Sequence, residues 1–259
     1  MTTHPNPRST HEVFNQSPPR EGINEFETNT VLVEAAETFG AGWDAEHFSE
    51  VGALVGAADF QEDSRLANTV TPELVAFDRW GNRIDEVTYH PGYHRIIGDA
   101  VAHGAHTSGW SKPGPGAHAA RAVVFMLFAQ IEPGHSCPVS MTHSAVPTLR
   151  LQPELAERWL PRVYSREYDP KLAAPGAKGG AILGMAMTEK QGGSDVRANT
   201  TRAVRADGGD YVLTGHKWFC SAPMSDAFLV LGQVERRSGA KGLTCFLVPR
   251  VLEDGTRNP

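Results

Sequence analysis

Cysteine is scarce in this chain. The 259 residues contain three, Cys137, Cys220 and Cys245, an odd number at wide spacing. That excludes a disulfide framework and fits a reducing cytoplasm. Cys137 and Cys245 sit in apolar runs and are expected to behave as inert small hydrophobes. Long apolar runs are also missing. The longest, Ala117–Ile131, is interrupted by Arg121 and Gln130, too short and too polar for a membrane span. The opening 20 residues carry Pro, Asn, Ser and Thr, with no basic-then-apolar start, so no secretory leader is expected. Positive charge is not in excess: the net charge is −6, against non-specific nucleic-acid or membrane binding. The Arg236-Arg237 pair reads as solvated turn residues. No GxSxG is present, which leaves hydrolase chemistry without a foothold.

The composition supports a real core, with 40% apolar and 21% charged residues. Residues 28–163 read as helices. Val31, Leu32, Ala35, Ala36 and Phe39 repeat at helical spacing behind Thr28 and Asn29. Asp44 is placed to cap a second helix carrying Phe48, Val51, Leu54 and Val55. Ile96, Ile97 and Val101 mark another. Ala117–Ile131 is apolar nearly all round, as a central buried helix would be. Pro153-Glu154-Leu155 reads as a helix start, with Leu155, Trp159 and Leu160 on one face. Tyr168–Gly180, rich in Pro, Gly, Lys and Ala, is the linker candidate. Beyond it lie strand candidates: Ala181–Met187, Asn199–Ala206, Tyr211–Phe219, Ala227–Val234 and Leu243–Val251, with Asp207–Asp210 as a hairpin turn. The expected fold is α+β: an all-α helical domain (1–180), then an incomplete antiparallel β-barrel-like domain (181–259).

Chemistry concentrates in Met187-Thr188-Glu189-Lys190-Gln191-Gly192-Gly193-Ser194-Asp195-Val196, followed by Gly215-His216-Lys217-Trp218. Gly192 and Gly193 uncover backbone N–H groups and let an anion approach, and Ser194 adds a hydroxyl. This is pyrophosphate-cradling chemistry without a Walker lysine or a GxGxxG turn. Thr188 would face a ring's polar edge, and Trp218 would stack on a flat ring. His90 with His94 and His103 with His106 suggest a metal at first sight, but Pro91-Gly92 breaks the first pair's helix and no acidic residue sits at ligand spacing. Gly114-Pro115-Gly116 reads as a loop before a helix rather than a dinucleotide turn, because no strand precedes it.

These residues resemble the acyl-CoA dehydrogenase superfamily, whose motif runs Met-Thr-Glu, a small-residue turn ending Gly-Ser-Asp, then a Lys-Trp. Residues 10–15 (THEVFN), 40–44 (GAGWD), 65–68 (RLAN), 72–74 (PEL), 89–91 (YHP), 120–127 (ARAVVFML) and 184–196 (GMAMTEKQGGSDV) resemble its AidB-type branch, flavoproteins associated with the response to DNA alkylation. The resemblance implies FAD, lined by Met187 through Val196, with Thr188 at the pyrimidine end and Ser194 at the pyrophosphate. It implies Trp218 beside the isoalloxazine and Ser221, Ala222 and Pro223 near the reactive edge. Many family members carry threonine two residues after the tryptophan, where this chain has Cys220. Either Ser221 bonds flavin N5, or N5 is tuned differently. The family reaction removes a proton α to a thioester while hydride leaves for N5. The family's base lies in a C-terminal helical domain, so no catalytic residue is assigned. The chain is expected to be the N-terminal part of a longer protein and inactive alone. DNA contact would belong to the other half, an acyl-CoA-like molecule is the implied small-molecule partner, and the complete protein would be a homo-oligomer. The rival readings are a non-enzymatic flavoprotein that protects DNA and a fragment without a role.

Overall fold

A computed structural model describes residues 10–11, 13–234 and 242–258. Glu12 of the 10–15 motif, the Arg236-Arg237 pair and Pro259 lie outside the described residues. The helical part contains α1 (Thr30–Thr38), α2 (Ala45–Val55), α3 (Ala58–Thr69), α4 (Pro91–Ala102), α5 (Ser108–Ser111), α6 (Ala117–Ala129), α7 (Ser136–Leu149) and α8 (Pro153–Val163). Asn29 caps α1 by accepting from the Leu32 amide. Asp44 precedes α2 but bonds the His47 ring instead of an amide. Phe48, Phe60, Ile96, Ile97, Leu127 and Phe128 form the main core. The buried face of α6 supplies much of it, although Met126 is exposed.

The expected all-α character of this part is corrected by a hairpin, β1 (Glu73–Phe77) and β2 (Arg83–Thr88). Its turn is built by Asp78, whose carboxylate accepts from the Trp80 and Asn82 amides, and by Gly81 at φ +85°. The strands are exposed on both faces, so no apolar alternation announces them.

The second part holds β3 (Leu183–Ala186), β4 (Arg202–Arg205), β5 (Tyr211–Thr214), β6 (Ala227–Val234) and β7 (Leu243–Pro249). The expected antiparallel sheet is mixed. β4–β5 and β6–β7 are antiparallel, but β3 and β4 both run parallel to β6. The reason is geometric. β3 pairs Ala227–Val230 and β4 pairs Gln233–Val234, so the two lie end to end along one edge of β6 with only Leu231 and Gly232 between their registers. Residues 187–201 therefore bulge from what is in effect one interrupted strand.

A second core joins the parts: Val146, Leu149, Trp159 and Val163 of α7 and α8 pack on Leu183, Ala227 and Leu229. The Thr142 hydroxyl accepts from the Leu183 amide at 3.0 Å. The expected linker, 168–180, is pinned down. Lys178 is buried against Asp226 at 2.5 Å, and the other Asp226 oxygen accepts from the Ile182 amide. Tyr168 bonds His94 at 2.9 Å. Cys137 and Cys245, read from their apolar runs as inert small hydrophobes, are both exposed. Cys245 lies in the exposed start of β7 beside Thr244, and the first turn of α7 leaves Cys137 at the surface. Among the described residues, no helix is long and apolar enough to cross a membrane.

Candidate functional site

The bulge at 187–201 is closed by one side chain. Glu189 is 1% exposed. Its Oε1 accepts from the Thr201 amide (2.9 Å), the Thr201 hydroxyl (2.6 Å) and Lys217 Nζ (3.0 Å). Its Oε2 accepts from the Thr200 amide (2.7 Å), the Thr200 hydroxyl (2.9 Å) and Gln191 Nε2 (2.8 Å). Burial pushes the carboxyl up, but the donors of Thr200, Thr201 and Gln191 outweigh it and hold Glu189 well below the ordinary carboxylate range. Both oxygens are saturated, so the side chain faces the fold and serves as the knot of the loop.

With its ends tied, the loop offers its tip to solvent. Gln191 through Asp195 are exposed. The Gly192 amide closes a turn on the Glu189 carbonyl at 2.9 Å, and Gly192 has φ +134°, a conformation that favours glycine. A Cβ on Gly193 would stand 2.7 Å from Thr188 Oγ1, so the tip folds directly over Thr188. Among the described residues, nothing accepts from the amides of Gly193, Ser194 or Asp195. Asp195 turns its own carboxylate back on the Arg197 amide, and Val196 begins the short helical turn it caps. Met187 packs on the second core, and its carbonyl accepts from Asn199 Nδ2.

Trp218 was expected on a strand, but β5 ends at Thr214. Gly215 presses against Thr201 and leads the chain out of the sheet. Trp218 reaches the loop all the same: its amide donates to the Thr188 carbonyl at 2.9 Å, and Lys217 bridges Glu189. The indole is 43% exposed, with Lys190 Nζ 5.6 Å from its ring centroid. Beyond it, Phe219 and Ala222 both have φ +57°, unfavourable for residues with a Cβ. Strain on both sides of Cys220-Ser221 marks this turn as a place where geometry is imposed. Burial pushes the Cys220 thiol up. Ser221 and Pro223 are exposed, and Ala222 is half-buried.

Opposite this turn, Ser221 and Ala222 form one wall of a cavity of about 370 Å³. Tyr89, Tyr93, Glu132 and Cys137 of the helical part line the other side. Sequence reasoning missed these four, because helical packing alone brings them to the loop. It also missed Thr200 and Thr201 and the anchoring role of Lys217, although the polar run following the Gly-Gly-Ser-Asp turn hinted at anchors.

The histidines weighed as ligands have other partners. His90 caps α4 by accepting from the Gly92 amide, His94 bonds Tyr168, His103 bonds His47, and His106 bonds the Ser165 carbonyl. Among the described residues, no three side chains are grouped to hold a metal.

The family model of the adaptive response protein AidB N-terminal domain matches residues 15–170. That of the acyl-CoA dehydrogenase middle domain matches residues 184–257. The chain is 45% identical over 251 residues to the putative acyl-CoA dehydrogenase AidB of Escherichia coli (strain K12), covering 96% of this chain and 46% of that protein. It is 32% identical over 207 residues to acyl-CoA dehydrogenase family member 11 of Caenorhabditis elegans, covering 75% of this chain and 32% of that one. Two similar solved structures are Bd2924 in its apo form (TM-score 0.81, 25% identity, 95% of this chain and 49% of that chain) and C. elegans ACDH-11 in complex with C11-CoA (TM-score 0.78, 25% identity, 100% and 45%). The chain thus spans less than half the length of these curated relatives.

Proposed function

The chain belongs to the acyl-CoA dehydrogenase superfamily and is of the AidB type, and from that membership we propose that residues 187–223 form the protein side of an FAD site. In this reading residues 1–180 are the helical unit and 181–259 the unit that carries the loop. The carrying observation is the row of unpartnered amides at Gly193, Ser194 and Asp195, held exposed by a knot at Glu189. Consecutive free N–H groups beside a serine hydroxyl suit a diphosphate. A Cβ at Gly193 would press on the Thr188 side chain, so glycine there keeps the tip folded onto Thr188 with its backbone uncovered. The residues present fit the group.

In the proposed assignment Gly193, Ser194 and Asp195 hold the diphosphate, and Thr188 serves the pyrimidine end. Trp218 covers one face of the ring system, worth roughly 0.5–1.5 kcal/mol beyond area burial. Ser221, Ala222 and Pro223 border the reacting edge. Bound flavin would supply hydride acceptance from a carbon of an acyl-CoA-like substrate. The protein's part is to orient that edge toward the cavity shared with Tyr89, Tyr93, Glu132 and Cys137. Glu189 is saturated and Asp195 caps its own turn, so neither is assigned as a proton acceptor. DNA contact is not assigned to these residues, given the net charge of −6.

The test is equilibrium dialysis of the purified chain against FAD, followed by absorbance and tryptophan fluorescence. One flavin per chain, with tryptophan emission quenched in wild type and less so in Trp218→Leu, is the expected result. A folded chain that retains no flavin refutes the assignment.

A further inference from the structure

The cavity beside the strained turn has a chemical polarity of its own. Its rim carries the exposed side chains of Asn68, Cys137 and Ser221, and its inner wall the buried side chains of Glu132 and Tyr93. Asn68 spends its amide N–H on the Ser64 carbonyl at 2.8 Å, which leaves its Oδ1 as an acceptor. Glu132 is 2% exposed. Its Oε2 accepts from the His135 amide (2.7 Å) and His135 Nδ1 (3.1 Å), and its Oε1 from the Gly134 amide (2.7 Å). A carboxylate has about four acceptor sites, so three donors leave room for one more. Burial pushes the Glu132 carboxyl up, but the His135 and Gly134 donors outweigh it and keep the group an anion.

Two further observations point the same way. Tyr89 and Tyr93 stack at 4.4 Å, and the face of a tyrosine ring attracts cations. Among the described residues, no lysine, arginine or histidine lines the cavity. An anion placed there would meet the Glu132 carboxylate, whose one basic partner, His135, is already engaged on Oε2.

We propose that this cavity takes an organic chain whose inner end carries a hydrogen-bond donor, best an ammonium and next a hydroxyl, and that Glu132 selects it against a carboxylate. The proposal deepens the functional reading above by naming the class of molecule that would approach the Ser221-Ala222 turn, and it rests on that reading only for what happens after binding. Glu132 is thus a specificity-determining residue. It also steadies the entry to α7, since its oxygens hold the turn at Gly134 and His135.

The test uses the full chain without added flavin and three probes of equal length: hexylamine, 1-hexanol and hexanoate. Calorimetric titration should rank them in that order, with hexylamine at least about tenfold tighter than hexanoate. Bound hexylamine should slow the reaction of Cys137 with a thiol reagent, read by peptide mass mapping, while Cys245 reacts unchanged. Glu132→Gln keeps one of the two acceptors of the α7 turn and turns an NH2 toward the other amide; where it folds, it should reduce the amine preference to within about threefold. Equal or reversed ranking of hexylamine and hexanoate in wild type overturns the proposal, as does binding without protection of Cys137. Amine preference persisting in Glu132→Gln removes Glu132 from it. If Glu132→Gln does not fold, the wild-type ranking and the Cys137 protection decide by themselves. Failure of FAD to bind would overturn the cofactor reading and leave this ranking untouched.

Discussion

Glu189→Gln is the substitution that most directly probes how the loop is held. The carboxylate receives six hydrogen bonds, three on each oxygen. A glutamine amide must place an NH2 where one oxygen was, so donors would face donors at Thr200 and Gln191 or at Thr201 and Lys217. Lys217 is also left with its charge uncompensated, its side chain only 10% exposed. Removing one partner of a buried pair typically costs about 3–5 kcal/mol. Against a total stability of roughly 5–15 kcal/mol this is a large share. The cheapest escape is local: residues 187–199 detach from Thr200 and Thr201 while β6 stays paired with β7. Urea unfolding should therefore show a loss of a few kcal/mol, or a lower-stability phase, with new proteolytic cleavage between 187 and 201. Flavin affinity should fall in parallel. Glu189→Gln combined with Lys217→Met should be less damaged than Glu189→Gln alone, because the stranded ammonium is gone. Wild-type stability and an uncut loop in Glu189→Gln would refute the knot. Its pH sign follows from the depressed pKa. The contribution is fully present above about pH 4.3, the unfolded value, and is lost as pH falls through the folded one.

Two more outcomes follow from the same geometry. Gly193→Ala puts a methyl against Thr188 Oγ1. A stiff β-branched neighbour yields poorly, so a loss of about 1–3 kcal/mol in loop stability is expected. Thermal melts should show Gly193→Ala with Thr188→Ala recovering most of it, and no recovery would place the clash elsewhere. His106 is 1% exposed, its Nε2 held by the Ser165 carbonyl and its Nδ1 buried without a partner among the described residues. Burial pushes it down to about 4. The unfolded chain, with a histidine pKa near 6.5, binds the proton first, so stability is full above about pH 6.5 and declines toward pH 4, by up to about 3 kcal/mol. His143, also pushed down to about 4 but half-buried, acts in the same sense. Urea unfolding free energies at pH 7, 5.5 and 4.5 should trace that decline, with a shallower slope in His106→Gln; an unchanged slope would remove His106 from the effect.

What the sequence disclosed and what it withheld divide along a physical line. Segments whose neighbours are near in the chain were legible: Asn29 caps α1, Pro153 opens α8, and Gly208 and Gly209 turn β4 into β5 with positive φ. Segments whose neighbours are remote were not. α7 contains Pro138 and Pro147 and reads as a poor helix. Pro138 falls in the first turn, where a missing N–H costs little. Burial of Val139, Val146 and Leu149 among α4, α6, α8 and β3 supplies the rest. The same distinction governs the site. Gly192, Gly193 and Ser194 announce an anion loop because their chemistry is local. Glu189, inside that motif, reads as one more loop residue until Thr200, Thr201 and Lys217 are seen closing on it from β4's approach and beyond β5. A motif read along the chain therefore shows which atoms are exposed to a ligand, and only the fold shows which atoms keep them exposed. Glu132 and Tyr93 take this furthest: they are remote from the loop in sequence, yet they shape the cavity it borders.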